Sequence, residues 1–326
     1  MIFRFRYLPV LIAVSLFSAA CVAKESTLRY DEAEAKSAYY VSAAMYANDF
    51  TNAQSCLEKG FESNDATFDP FPFSCPWTGL VDDGNDNCTA WLSVSPRRNH
   101  IVISFAGTYC PPTTNGSACD ALLHEIGNAA LVEAKTPGNH PLGLVVEYFF
   151  RGFEAAYAEM HKAVDHALQK HPSATVVFTG PSLGAALASI TALSFAIDGH
   201  FKDTQSLRFI SFGQPRTGDA LYAEQFQSKI PNGWRLTNHR DPVPQVPFPI
   251  PEIEAVRHHS DEIHYSEGMS LVDVKDYVVC PPRPDGSENL LCLNSVGALT
   301  LDPHDHVTYF GGSKDFGQVA STGCSE

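Results

Sequence analysis

Two hydrophobic rhythms alternate along this chain. Ala174-Thr175-Val176-Val177-Phe178-Thr179 is short, β-branched and almost continuously apolar, the composition of a strand buried on both faces of a parallel sheet. Similar runs at residues 90–94, 101–106, 207–212 and 234–237 predict further strands of the same sheet. Between them the period lengthens to that of helices. Asp31 and Glu34 make a capping-box-like start for a helix running to about residue 50, and residues 150–170 read as a long amphipathic helix stopped at His171-Pro172. Strands alternating with helices predict an α/β fold, a mostly parallel central sheet flanked by helices. From residue 109 to about 135 the sheet rhythm lapses, and Ala121, Leu122, Leu123, Ile126, Ala130 and Leu131 give one apolar helical face.

The junction between the 174–179 strand and the small-residue run from Ala185 to Leu193 carries Gly180-Pro181-Ser182-Leu183-Gly184. A serine flanked by glycines at a strand-to-helix turn is the pattern of a nucleophile elbow, because the glycines leave space for a sharp backbone that lifts the hydroxyl into the open. Serine in a Gly-rich turn also caps helices, so the partners decide. A hydroxyl becomes a nucleophile only when a base takes its proton and a carboxylate orients that base. The α/β-hydrolase chain order of Ser, acid, His confines the search among 13 histidines to residues beyond Ser182. Asp241, within Asn238-His239-Arg240-Asp241-Pro242-Val243-Pro244, follows a predicted strand at the end where sheet enzymes hold their catalytic groups. Near the C-terminus, His304 and His306 precede Val307-Thr308-Tyr309-Phe310, while Asp302 and Asp305 read as solvated loop charges.

Four motifs in order resemble the class 3, fungal-type lipases. In that family the elbow is commonly Gly-His-Ser-Leu-Gly-Gly, the next strand ends in Gly-Gln-Pro-Arg-x-Gly, the acid sits in Asn-x-x-Asp-x-Val-Pro, and the histidine precedes Tyr-Phe. Here stand Gly213-Gln214-Pro215-Arg216-Thr217-Gly218, then Asn238 to Pro244, then His306 ahead of Tyr309-Phe310. The resemblance covers nearly all of the chain after its first residues. It implies an α/β-hydrolase fold with Ser182 as nucleophile, Asp241 as orienting carboxylate and His306, by its spacing to Tyr309, as base. The family's oxyanion strand ends in Phe-Arg-Gly-Thr or Ser, and Phe105-Ala106-Gly107-Thr108 occupies that place. The backbone N–H groups of Thr108 and Leu183 would then hold the oxyanion, about 3 kcal/mol per donor in related enzymes. Pro181, Ala185 and Ala106 replace the family's histidine, glycine and arginine, bearing on rate and specificity rather than on reaction type. The resemblance also implies a lid over residues 109–135, where an ordinary surface helix is the alternative, and disulfides Cys56–Cys324 and Cys280–Cys292.

The remaining features bound the setting. Arg4 and Arg6 precede an apolar run, Leu8 to Phe17, too short to span a bilayer, so residues 1–23 read as a secretory signal peptide and residues 24–326 as one domain. Of nine cysteines, eight follow that segment, an even number suited to disulfides in an oxidising compartment; Cys110 with Cys119 and Cys75 with Cys88 are paired by proximity alone. Sequons at Asn87 and Asn115 fit a secreted glycoprotein. Removing the two arginines takes the net charge from −15 to −17, which disfavours nucleic acid as a partner. His258 to Tyr265 has ligand-type residues in a spacing that fits no zinc pattern, and the resemblance makes it a structural hairpin. Asp82 to Asn87 puts Cys88 and Val94 where a calcium loop needs glycine and glutamate, and reads as a turn. No metal or cofactor is expected. The expectation is a secreted, monomeric serine hydrolase cleaving lipid esters, triacylglycerols first, with a phospholipase A1, a feruloyl-type esterase or a catalytically silent lipid- or glycan-binding relative as alternatives.

Overall fold

A computed structural model describes residues 29–74, 87–108, 130–201, 206–247, 256–269, 276–283, 286–289, 292–293, 296 and 300–325. The chain opens with α1 (Glu32–Ala44) and α2 (Phe50–Phe61), then runs through β1 (Thr67–Ser74), β2 (Asn87–Ser95) and β3 (His100–Phe105). A hairpin of β4 (Leu131–Lys135) and β5 (Pro141–Val146) leads into α3 (Glu147–Lys170), β6 (Thr175–Pro181), α4 (Ser182–Ile197) and β7 (Leu207–Phe212). There follow α5 (Ala220–Lys229), β8 (Gly233–Asn238), β9 (Asp261–Tyr265), β10 (Val278–Cys280) and two short helices, α6 (His304–Val307) and α7 (Phe316–Ser321).

Among the described residues one eight-stranded sheet has the order β1-β2-β3-β6-β7-β8-β9-β10. Its centre, β3 to β9, is parallel, and antiparallel strands close both edges. Alternation along each strand sorts side chains to two cores. Ile101, Ile103 and Phe105 face α3 and α4, while Val102 faces the opposite side with α1 and α2. Helices therefore cover both faces, the mostly parallel, helix-flanked architecture that the alternating rhythm predicts. Cys56–Cys324 and Cys280–Cys292 are formed. Cys88 is disulfide-bonded; Cys75, Cys110, Cys119, the turn at 82–86 and the sequon at Asn115 lie outside the described residues. Among the described residues no helix is long and apolar enough to cross a membrane.

Three local expectations need correction. The first helix stops at Ala44, because Asp49 starts a new one: its carboxylate accepts the Asn52 N–H at 2.8 Å and caps α2. The stretch ending the expected lid is a strand, since Leu131 to Lys135 pairs with β5, and an extended backbone there is incompatible with a helical face through Leu131. Residues 109–129 lie outside the described residues. Finally, 261–265 is an inner strand of the main sheet, parallel to β8 and hairpinned in direction with β10.

Candidate active site

The site forms where β6 meets α4. Pro181 ends the strand in extended conformation, and Ser182 turns to φ 55°, a left-handed value costly for a residue with a Cβ. Tight packing against β3 enforces the turn: a Cβ on Gly184 would lie 2.1 Å from the Phe105 carbonyl oxygen, so only glycine fits two residues past the serine. Ser182 becomes the first residue of α4, and its Oγ has no hydrogen-bond partner. A small cleft opens over it, lined by Tyr46, Thr108, Pro181, Ser182, His306, Val307, Asp315 and Phe316.

His306 reaches this cleft from α6 and is buried, while His304 on the same short helix is exposed. The His306 Nδ1 lies 3.0 Å from both carboxylate oxygens of Asp241. Nδ1–H therefore donates to the carboxylate, leaving Nε2 as the acceptor on the far side of the ring. Asp241 is fully buried and further held by the Tyr309 hydroxyl at 2.6 Å and the Val243 N–H at 2.8 Å. Burial and then the Asp241 charge push the Tyr309 hydroxyl far above its ordinary range, so it stays protonated and donates. Gly213, at φ 62°, lies against this pair: a Cβ there would come within 2.7 Å of Asp241 Oδ2 and 2.9 Å of His306 Cε1.

The loops carrying Asp241 and His306 are stitched together. Asn238 donates its side-chain amide to the Asp305 carbonyl at 2.8 Å and accepts the Met269 N–H at 3.1 Å. Asp305 is no solvated charge: its carboxylate accepts the Arg240 N–H at 3.0 Å, faces His239 Nδ1 at 3.1 Å, and is 14% exposed. Asp302 stays half-exposed beside Arg240.

Two backbone N–H groups border Ser182. Leu183, in the first turn of α4, has an N–H with no intrahelical acceptor. Thr108 lines the cleft just past β3, and its neighbour Gly107 is clamped by Tyr46, whose hydroxyl oxygen accepts the Gly107 N–H at 2.7 Å. Tyr46 thus buttresses the loop that leaves β3 through Ala106 and Gly107. Motif spacing misses Tyr46, which comes from just beyond α1, and Asp315, which caps α7 with one oxygen while Oδ2 is buried without a partner at the cleft.

With this geometry in view, comparisons with known proteins agree in direction. A sequence model of the lipase (class 3) family matches residues 102–250. A lipase of Caenorhabditis elegans is 26% identical, covering 89% of this chain and 82% of that protein. A secreted mono- and diacylglycerol lipase of Fusarium solani is 32% identical over 50% of this chain, and the chain spans 45% of that relative's length. The solved triacylglyceride lipase of Rhizomucor miehei superposes with a TM-score of 0.64 at 23% identity, over 87% of this chain and 95% of that one. The shared architecture is the α/β-hydrolase fold.

Proposed function

We propose that this chain, a carboxylic ester hydrolase similar to the class 3 lipases over residues 102–250, is a secreted enzyme that hydrolyses acylglycerols, triacylglycerols included, through Ser182, His306 and Asp241. The observation that carries this is the strained Ser182, unpartnered and facing the same cleft as a buried His306 that is backed by Asp241. In the proposed sequence, His306 Nε2 takes the Ser182 proton as Oγ adds to the ester carbonyl carbon. The N–H groups of Thr108 and Leu183 hold the resulting oxyanion. Collapse breaks the bond to the alcohol, which leaves with the proton held on His306, and water then releases the acid by the same steps from the acyl-Ser182 ester. Asp241 keeps its charge throughout and stabilises the transient imidazolium.

Secretion is supported by the apolar N-terminal segment and by relatives whose names describe secreted lipases. A second reading, preference for partial glycerides, is favoured by the same relatives, named mono- and diacylglycerol lipases. The test is a substrate panel on secreted protein with Ser182→Ala alongside. Hydrolysis of tributyrin and dibutyrin but not of phosphatidylcholine or methyl ferulate is expected, together with fluorophosphonate labelling that Ser182→Ala abolishes. Labelling retained in that variant would overturn the nucleophile, and tributyrin left intact while dibutyrin is cleaved would move the assignment to partial glycerides.

A further inference from the structure

On the opposite end of α4 from Ser182, three ligand-type side chains converge. His161 and Asp165 sit one turn apart on α3, and His200 comes from the segment after α4. Asp165 faces both imidazoles: its Oδ2 is 3.6 Å from His161 Nδ1 and its Oδ1 is 3.2 Å from His200 Nδ1. One donor atom from each of the three groups lies within 4.8 Å of the other two. We propose that His161, Asp165 and His200 form a zinc site that ties α3 to the chain leaving α4.

The separations fit such an ion. Zinc held by imidazole and carboxylate at about 2.0–2.2 Å in a tetrahedron requires donor pairs about 3.3 Å apart. The Asp165–His200 pair, 3.2 Å apart through Oδ1, meets that value, and His161, 3.6 Å from the other carboxylate oxygen, must close in on the shared ion. Two nitrogens and one carboxylate oxygen suit zinc and exclude calcium, which takes oxygen ligands. Partial exposure of all three leaves the fourth position to water. Among the described residues, the ion-pair partners of Asp165 are these two imidazoles, so no lysine or arginine competes for the carboxylate.

The surroundings hold the ligands in place and favour a cation. The His161 and His200 rings meet edge to face with centroids 4.6 Å apart, Phe195 packs against both, and Tyr157 lies against His161. This apolar wall restricts both imidazoles. The C-terminal end of α4, whose carbonyls carry negative partial charge, adjoins His200: the His200 N–H donates to the Phe195 carbonyl. Ser182 and Ile197 are separated by the 16-residue length of α4, about 24 Å. An ion here therefore acts on the packing of α3 against α4 and not on ester chemistry.

The test uses the mature protein stripped with a chelator and returned to metal-free buffer. Equilibrium dialysis against micromolar Zn²⁺ should leave about one ion per chain on the wild type and none on Asp165→Asn or His200→Ala. At a hundredfold excess over Kd, zinc should raise Tm by about 5 °C in the wild type alone. Hydrolysis of p-nitrophenyl butyrate should stay unchanged in all, and His161→Gln provides a milder variant if the others fold poorly. Zinc content equal in wild type and folded variants, or no bound zinc in the wild type, would overturn the site whatever the outcome for the ester substrates.

Discussion

At the scale of single residues, the choice between two histidines two positions apart shows what burial adds to spacing. His306 is enclosed, paired to Asp241 and open to the cleft; His304 is exposed on the outer side of the same turn. His306→Ala is expected to lower kcat by about 10³-fold or more, and His304→Ala to stay within a few-fold of wild type; the opposite order on p-nitrophenyl butyrate would reassign the base. Tyr46 acts one step away, through Gly107. Tyr46→Phe leaves the Gly107 N–H without its acceptor and loosens the Thr108 amide, so kcat should fall about tenfold with KM little changed. A variant with both constants at wild-type values would show that Gly107 needs no such buttress. The proposed triad is legible in sequence because each member sits in a short ordered motif. Tyr46 is not, since its contact with Gly107 spans 61 positions and nothing local to Tyr46 marks it.

At the scale of elements, the apolar strands announce themselves and the polar one hides. β9 carries Asp261, Glu262 and His264, yet lies inside the sheet, because Glu262 accepts from Thr237 and approaches Arg235 on the neighbouring strand. Its interior is an ionic and hydrogen-bonded layer, which hydrophobic periodicity cannot detect. β1 is missed for another reason: Pro70 and Pro72 interrupt it, tolerable only because it is an edge strand. The same polar layer gives the Gly-Gln-Pro-Arg motif its work. Arg216 is fully buried, forks onto Glu288 at 2.8 and 2.9 Å, and donates to the carbonyls of Gln245 and Pro247, bracing the chain just beyond Asp241. Arg216→Met strands the Glu288 charge and should cost about 3–5 kcal/mol in urea unfolding, and Arg216→Lys should recover little because an ammonium cannot reproduce the fork. A loss below 1 kcal/mol, about what an exposed pair gives, would mean that Glu288 finds water instead.

At the scale of the whole molecule, this buried layer makes the fold sensitive to acid. His258 and His259 are held well below the ordinary imidazole range, first by burial and then by the Arg235 charge. Their folded pKa values lie under the unfolded value of about 6.5, so as pH falls through that value the unfolded chain binds protons first and stability drops. Burial alone would raise the Glu288 carboxyl, but the Arg216 fork and the His258 backbone N–H outweigh it and bring it down to about 2. Its contribution is complete above an unfolded pKa of about 4.5 and disappears as pH falls toward 2, in the same direction as the histidines. Asp261, raised by burial, opposes this within the carboxylate range. Urea midpoints should therefore decline from about pH 7 to 5 through the histidines and again below about pH 4.5 through Glu288. His258→Gln removes one titrating group while keeping a donor for the Pro244 carbonyl that His258 Nε2 contacts at 2.7 Å, so it should flatten the upper part of the decline. A variant that loses stability as steeply as wild type over that upper range would show that the acid response arises outside this layer.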